Sequence, residues 1–155
     1  MAISTEFAAL FSRDLRRLVQ QIEVFPTDEA LWVTAPGVTN SAGNLALHLE
    51  GNLLEFIGRQ IGGVPYTRQR PLEFSTTGLT RAELAARMDL VRETITPVFA
   101  NADYDAIFPE NVLGQPLTTR QFVIHLNGHL NYHLGQIDYL RRLTTANGAI
   151  PLAGL

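Results

Sequence analysis

An all-α fold, with four helices around one core, follows from three features of the sequence. Four long segments carry apolar residues at helical spacing. No stretch of useful length shows the period-two alternation of a strand. The punctuation between segments is of the helix-bounding kind: prolines, paired glycines and Ser/Thr caps. The 155 residues fit one domain spanning 1–155, and 46% apolar composition is enough to bury a sizeable core.

The first helix is expected over about residues 4–25, with Ser4 as its cap. Phe7, Leu10, Phe11, Leu15, Leu18 and Ile22 lie on one face, and Pro26 ends it. A short turn of helix follows through Trp32 and closes at Pro36-Gly37. The second helix runs from Asn40 or Ser41, either a plausible N-cap, to the stop at Gly62-Gly63. The polar segment after it, containing Pro65 and Pro71, is longer than most helix–helix connections and is expected to cross an end of the bundle or cover something. Thr80 and Glu83 form a capping box that opens the third helix, and Pro97 should kink its last turn. A second loop, "NADYDAIFPENVLGQP", could form a short hairpin-like excursion. The fourth helix begins at Thr118 or Thr119 and ends near Thr145, before an irregular tail.

Composition excludes several functions. The net charge of −3, with dispersed basic residues, argues against a nucleic-acid surface. The absence of cysteine removes disulfides, thiolate nucleophiles and thiolate metal sites, so any metal must be held by nitrogen and oxygen. Any thiol chemistry must use a thiol from outside. No apolar run is long enough to cross a membrane, and the N-terminus has no signal-peptide pattern, so the expected location is the cytoplasm.

The chemistry concentrates in "HLNGHLNYHLGQI". Three of the chain's four histidines, His125, His129 and His133, fall on one line of the fourth helix. At about 100° per residue they run from the rim of the apolar stripe into it, His125 outermost. In the second helix His48 sits at the edge of a similar stripe, about 40° from Asn52. Histidines at i and i+4 point the same way, and a third from another helix completes three protein ligands. That leaves an ion with open positions, the pattern of a catalytic rather than a closed site. His48, His129 and His133 are therefore the candidate metal ligands. His125 is a candidate base or supporting group, and Gln136 a candidate partner that holds an imidazole. Arg68 and Arg70, with Arg81 just beyond the loop, are candidate contacts for a carboxylate-bearing cofactor or substrate. Glycines 51, 128 and 135 lie inside helices, away from the core stripe, where the close approach of another helix or subunit would explain them.

"LW" at Leu31-Trp32, "GNLALHLEGNL", "GGVPYTRQRPLEF" and the histidine segment resemble the DinB-like superfamily, which includes the YfiT-like proteins. The resemblance covers most of the chain. It implies a four-helix bundle of up-down-down-up topology and a metal triad at His48, His129 and His133. Zinc or nickel is the usual occupant, and relatives of this kind are often dimeric. Where the family usually carries a basic residue after the last histidine, this chain has Leu134. Characterised relatives include thiol-dependent transferases and isomerases using bacillithiol, mycothiol or glutathione. The expected function is a metal-dependent transferase joining a low-molecular-weight thiol to a small-molecule electrophile. The alternatives are a metal-dependent hydrolase, for which His125 is the only obvious base, and a non-catalytic metal-binding stress-response module. A carboxylate di-iron site is disfavoured because no Glu-x-x-His pair occurs.

Overall fold

A computed structural model describes residues 2–154. Five α-helices form: α1 (Ile3–Glu23), α2 (Ala42–Leu53), α3 (Arg70–Ser75), α4 (Arg81–Ile95) and α5 (Thr119–Thr145). Short 3₁₀ turns span Glu29–Trp32 and Thr96–Asn101. The described residues contain no strand, only an isolated antiparallel bridge between Ile107 and Thr118 that closes the second loop.

α1 and α2 each pack against both α4 and α5. The stripes read from the sequence meet in one core. Phe11, Leu15, Leu18 and Ile22 of α1, Leu49 and Leu53 of α2, and Phe122, Leu126, Leu130 and Ile137 of α5 are all buried. On α1 one position departs from expectation and one charged residue lies inside the core. Leu10 is only half-buried, and Asp14 is fully buried, where it accepts from Arg13, Asn127 and Asn131. This carboxylate ties α1 to α5. Arg141 forms a second buried polar tie between the same helices. Its Nε donates to Gln21 Oε1 at 2.8 Å, and its Nη2 to Asp138 and to the Gly148 carbonyl.

The caps are partly those expected. Ser41 accepts from the Asn44 amide, Thr80 and Glu83 make a capping box, and Thr118 makes one with Gln121. Ser4 lies inside α1, whose N-cap Ala2 makes no side-chain cap bond, so it does not cap the helix. The second helix does not stay α-helical to its end. From Leu54 to Ile61 it widens into a π-helix, and a regular wheel loses its phase there. Gly63, in the left-handed region at φ 67°, turns the chain away.

The segment after it was expected as loop. It contains the short helix α3, with Pro71 in its first turn. Of the mid-helix glycines, Gly51 meets a side chain of this segment, whereas Gly128 and Gly135 face open space. Gly43 lies under the ring of Trp32, whose indole donates to the Leu79 carbonyl at 3.1 Å.

A Cβ at position 43 would stand 2.5 Å from the Trp32 ring. Gly43→Ala should therefore destabilise the fold by about 1–3 kcal/mol and move the emission of this sole tryptophan. A gain in stability with unchanged fluorescence, as for a freely exposed helix glycine, would contradict the packing.

Candidate metal centre

The site forms where the inward edges of α2 and α5 face each other. His48 projects from the middle of α2, and His129 and His133 from successive turns of α5. Their Nε2 atoms converge: His129 Nε2 lies 3.2 Å from His48 Nε2 and 3.1 Å from His133 Nε2. The rings cross nearly edge to face, at 77° for His48 and His129 and 88° for His129 and His133. His48 is buried and the other two are half-buried.

Neighbours fix two of the tautomers. His48 Nδ1 lies 2.8 Å from Glu73 Oε2, an acceptor, so Nδ1 carries the proton. His133 Nδ1 lies 2.6 Å from Gln136 Oε1 and donates likewise. In both rings Nε2 is left with its lone pair, aimed at the common point. His129 Nδ1 is buried without a hydrogen-bond partner among the described residues.

Burial pushes all three imidazoles below the ordinary histidine value. For His48 the Glu73 hydrogen bond opposes the shift, and for His133 the Gln136 bond does. For His129 burial leads, and the charges of His133, His48, His125 and Arg68 add to it, bringing it to about 4. The set is three neutral nitrogen donors at neutral pH, the form a metal requires. Nitrogens bound to tetrahedral zinc at ordinary bond lengths stand about 3.3 Å apart, close to the two measured separations. The residues therefore fit a divalent ion.

The other candidate residues divide. His125 is exposed, its ring stacked 5.8 Å from Phe122 and 6.5 Å from His129. It stands at the rim, outside the converging set. Arg68 turns inward, giving Nε and Nη2 to the Glu73 carboxylate at 2.6 and 2.9 Å. Arg70 is exposed with its guanidinium 5.3 Å from the Phe74 ring. Arg81 is held by Asp28 and the Phe25 carbonyl, away from the histidines. Glu50 pairs with Arg87 and takes no part in the centre.

Sequence reasoning missed Glu73. Its signal was Gly51 in an otherwise apolar helix, three residues after His48, together with a loop too long to be a simple connection. Asn52, one turn beyond His48, is buried and its Oδ1 has no partner among the described residues.

Two cavities flank the centre. One of about 450 Å³ is bordered by His133 and Gln136 and by the side chains of Val38, Tyr132, Tyr139 and Leu143. The other, of about 480 Å³, is bordered by Phe56, Arg59, Tyr66, Arg68 and Glu110.

The sequence profile of the DinB superfamily matches residues 10–137. Among solved structures, a DinB-like protein from Bacillus cereus ATCC 10987 superposes with a TM-score of 0.68. It is 19% identical and covers 93% of this chain and 95% of its own, a likeness of fold. No curated protein is significantly similar in sequence.

The depressed imidazoles make a prediction for the metal-free protein. Unfolding returns His129 from about 4 to its ordinary 6.5, so the unfolded chain binds more protons between those values. Stability present above pH 6.5 should fall as pH drops toward 4. In an NMR titration His129 should remain neutral at pH 5.5. A His129 titration midpoint above 6.5 would contradict this environment.

Proposed function

The chain belongs to the DinB superfamily, and from that premise we propose that it is a divalent-metal-dependent enzyme that transfers a low-molecular-weight thiol to a small electrophile. The observation that carries the metal reading is the convergence of three neutral Nε2 atoms, two of them locked as acceptors by Glu73 and Gln136. His48, His129 and His133 would hold the ion, with zinc or nickel as the candidates. Three neutral ligands leave a bound ion strongly Lewis-acidic, able to hold an external thiol as its thiolate.

The cavity beside the triad favours transfer over hydrolysis, while His125 could serve as base for either a thiol or a water. A hydrolase needs a base within reach of a water molecule. Glu73, the carboxylate that touches the triad, has both oxygens engaged by His48 and Arg68. His125 is the remaining imidazole and sits at the rim, where it can take a proton from an arriving thiol. The cavity beside His133 offers aromatic and aliphatic walls with Gln136 as a polar contact, a lining suited to a small, largely apolar electrophile. Arg68 donates to Glu73 through two nitrogens, so the exposed Arg70 is the better candidate for an acidic group on the thiol.

Two further expectations enter as part of the proposal. The up-down-down-up topology is supported by the long connection from α2 to α4 and by the packing of α1 and α2 on the same two partners. A homodimer is supported by an exposed strip of α5 that carries Ile124, Tyr132, Tyr139 and Leu143 beside Gly128 and Gly135, which face open space. Sedimentation at micromolar concentration should show a species of about twice 17.1 kDa; a lone 17.1 kDa species would refute the dimer.

The transfer reading is tested with the cobalt-substituted protein. About one cobalt per chain should bind, His48→Ala should abolish stoichiometric binding, and His125→Ala should keep most of it. Bacillithiol, mycothiol, glutathione or coenzyme A should give a sulfur-to-cobalt charge-transfer band with at least one of the four. No band with any of them, in protein shown to hold cobalt, would sink the thiol reading.

A further inference from the structure

We propose that Glu73, clamped by Arg68 and admitted by Gly51, is a positioning residue that sets the metal affinity of the centre through His48. The inference rests on the reading of the three histidines as a metal site. It concerns a carboxylate that is not itself one of the three converging donors.

The cluster joins two parts of the chain, α2 and the segment that carries Arg68 and α3. Glu73 is 6% exposed, on the short helix α3. Its Oε2 accepts from His48 Nδ1 at 2.8 Å and from Arg68 Nη2 at 2.9 Å, and its Oε1 from Arg68 Nε at 2.6 Å. Gly51 is the floor beneath it. A Cβ there would stand 2.1 Å from Glu73 Oε1 and 2.7 Å from its carboxyl carbon. Any side chain at position 51 would lift the carboxylate from its seat on α2. Asn44 pins the backbone of the same segment, its Nδ2 donating to the Glu73 and Thr76 carbonyls at 3.1 and 2.9 Å. The loop, the helix glycine and the Arg68–Glu73 ion pair thus converge on one hydrogen bond, to His48 Nδ1.

Fold stability alone does not account for this arrangement. Buried ion pairs gain little over apolar packing, because both charges lose their hydration. A carboxylate on the far nitrogen of a metal-binding imidazole has a specific effect. It fixes the tautomer and ring orientation and makes the ligating nitrogen more basic. The three histidines are supported unequally. His48 has a carboxylate, His133 the neutral amide of Gln136, and His129 Nδ1 has no partner among the described residues. Arg68 holds the carboxylate in place and balances its charge, so the support is given to His48 without making Glu73 a free base.

The test measures cobalt affinity by chelator competition, together with the thermal stability of the metal-free protein. The chains compared are wild type, Glu73→Gln, Gly51→Ala and the double variant Arg68→Gln/Glu73→Gln. Glu73→Gln should weaken binding by about 10- to 100-fold and shift the ligand-field bands of the bound cobalt. Gly51→Ala should weaken it in the same direction. The double variant removes both charges of the ion pair, so it should recover metal-free stability while its binding stays weak. Wild-type affinity in Glu73→Gln would overturn the proposal. So would recovery of affinity along with stability in the double variant, which would make Glu73 only a structural ion-pair partner. If wild type itself binds no cobalt, the metal reading fails and this inference with it; if wild type binds and Glu73→Gln binds equally, this inference alone fails.

Discussion

Three imidazole nitrogens within 4.8 Å of one another are the constraint around which the rest of the molecule is arranged. Two lone pairs, on His48 and His133, point at the same place as His129 Nε2, and such a cluster repels itself unless a proton or a cation lies between the nitrogens. Burial makes a proton expensive, which is why all three residues titrate below the usual range. A divalent ion satisfies the same geometry, its desolvation offset by coordination to all three lone pairs. The four-residue spacing on α5 supplies two donors from one helix, and the edge of α2 supplies the third across the core.

Holding α2 and α5 in this register takes more than apolar packing, which tolerates small slips. The core of leucines and phenylalanines brings the helices together, and directional polar contacts fix α5 against α1 and α2 against the α3 segment. Asp14 accepts from Asn127 and Asn131, about half a turn before and after His129, and Arg141 binds Gln21 and Asp138 further along the same helix. On the other side, Asn44 and Glu73 draw the α3 segment onto α2. These bonds fall on the two helices that carry the donors.

The helices and the convergence of His48, His129 and His133 were legible in the sequence because both depend on local periodicity. Residues 3.6 to a turn place Leu126, Leu130 and Ile137 inward and the histidines at their margin, whatever the loops do. What escaped depends on contacts between distant segments. Ser4 looked like a cap, yet the helix begins ahead of it. Asp14 and Arg141, charged residues that no periodic pattern marks as core, are buried because each finds its partner on another element. The π-helical turn from Leu54 onward has no periodic signature in the sequence. Gly51 was noticed as an anomaly on α2, but its cause, the Glu73 carboxylate, comes from a loop whose fold no helical wheel describes. Arg68, expected to meet a carboxylate on a cofactor or substrate, meets the protein's own Glu73 instead.

The most direct measurement is anomalous diffraction from crystals of the metal-loaded protein, collected on both sides of the absorption edge of the ion. The expected result is one peak per chain, bonded to Nε2 of His48, His129 and His133, with Glu73 hydrogen-bonded to His48 and not ligating. A peak placed elsewhere, or one that lacks His48 and draws in His125 instead, would contradict the account.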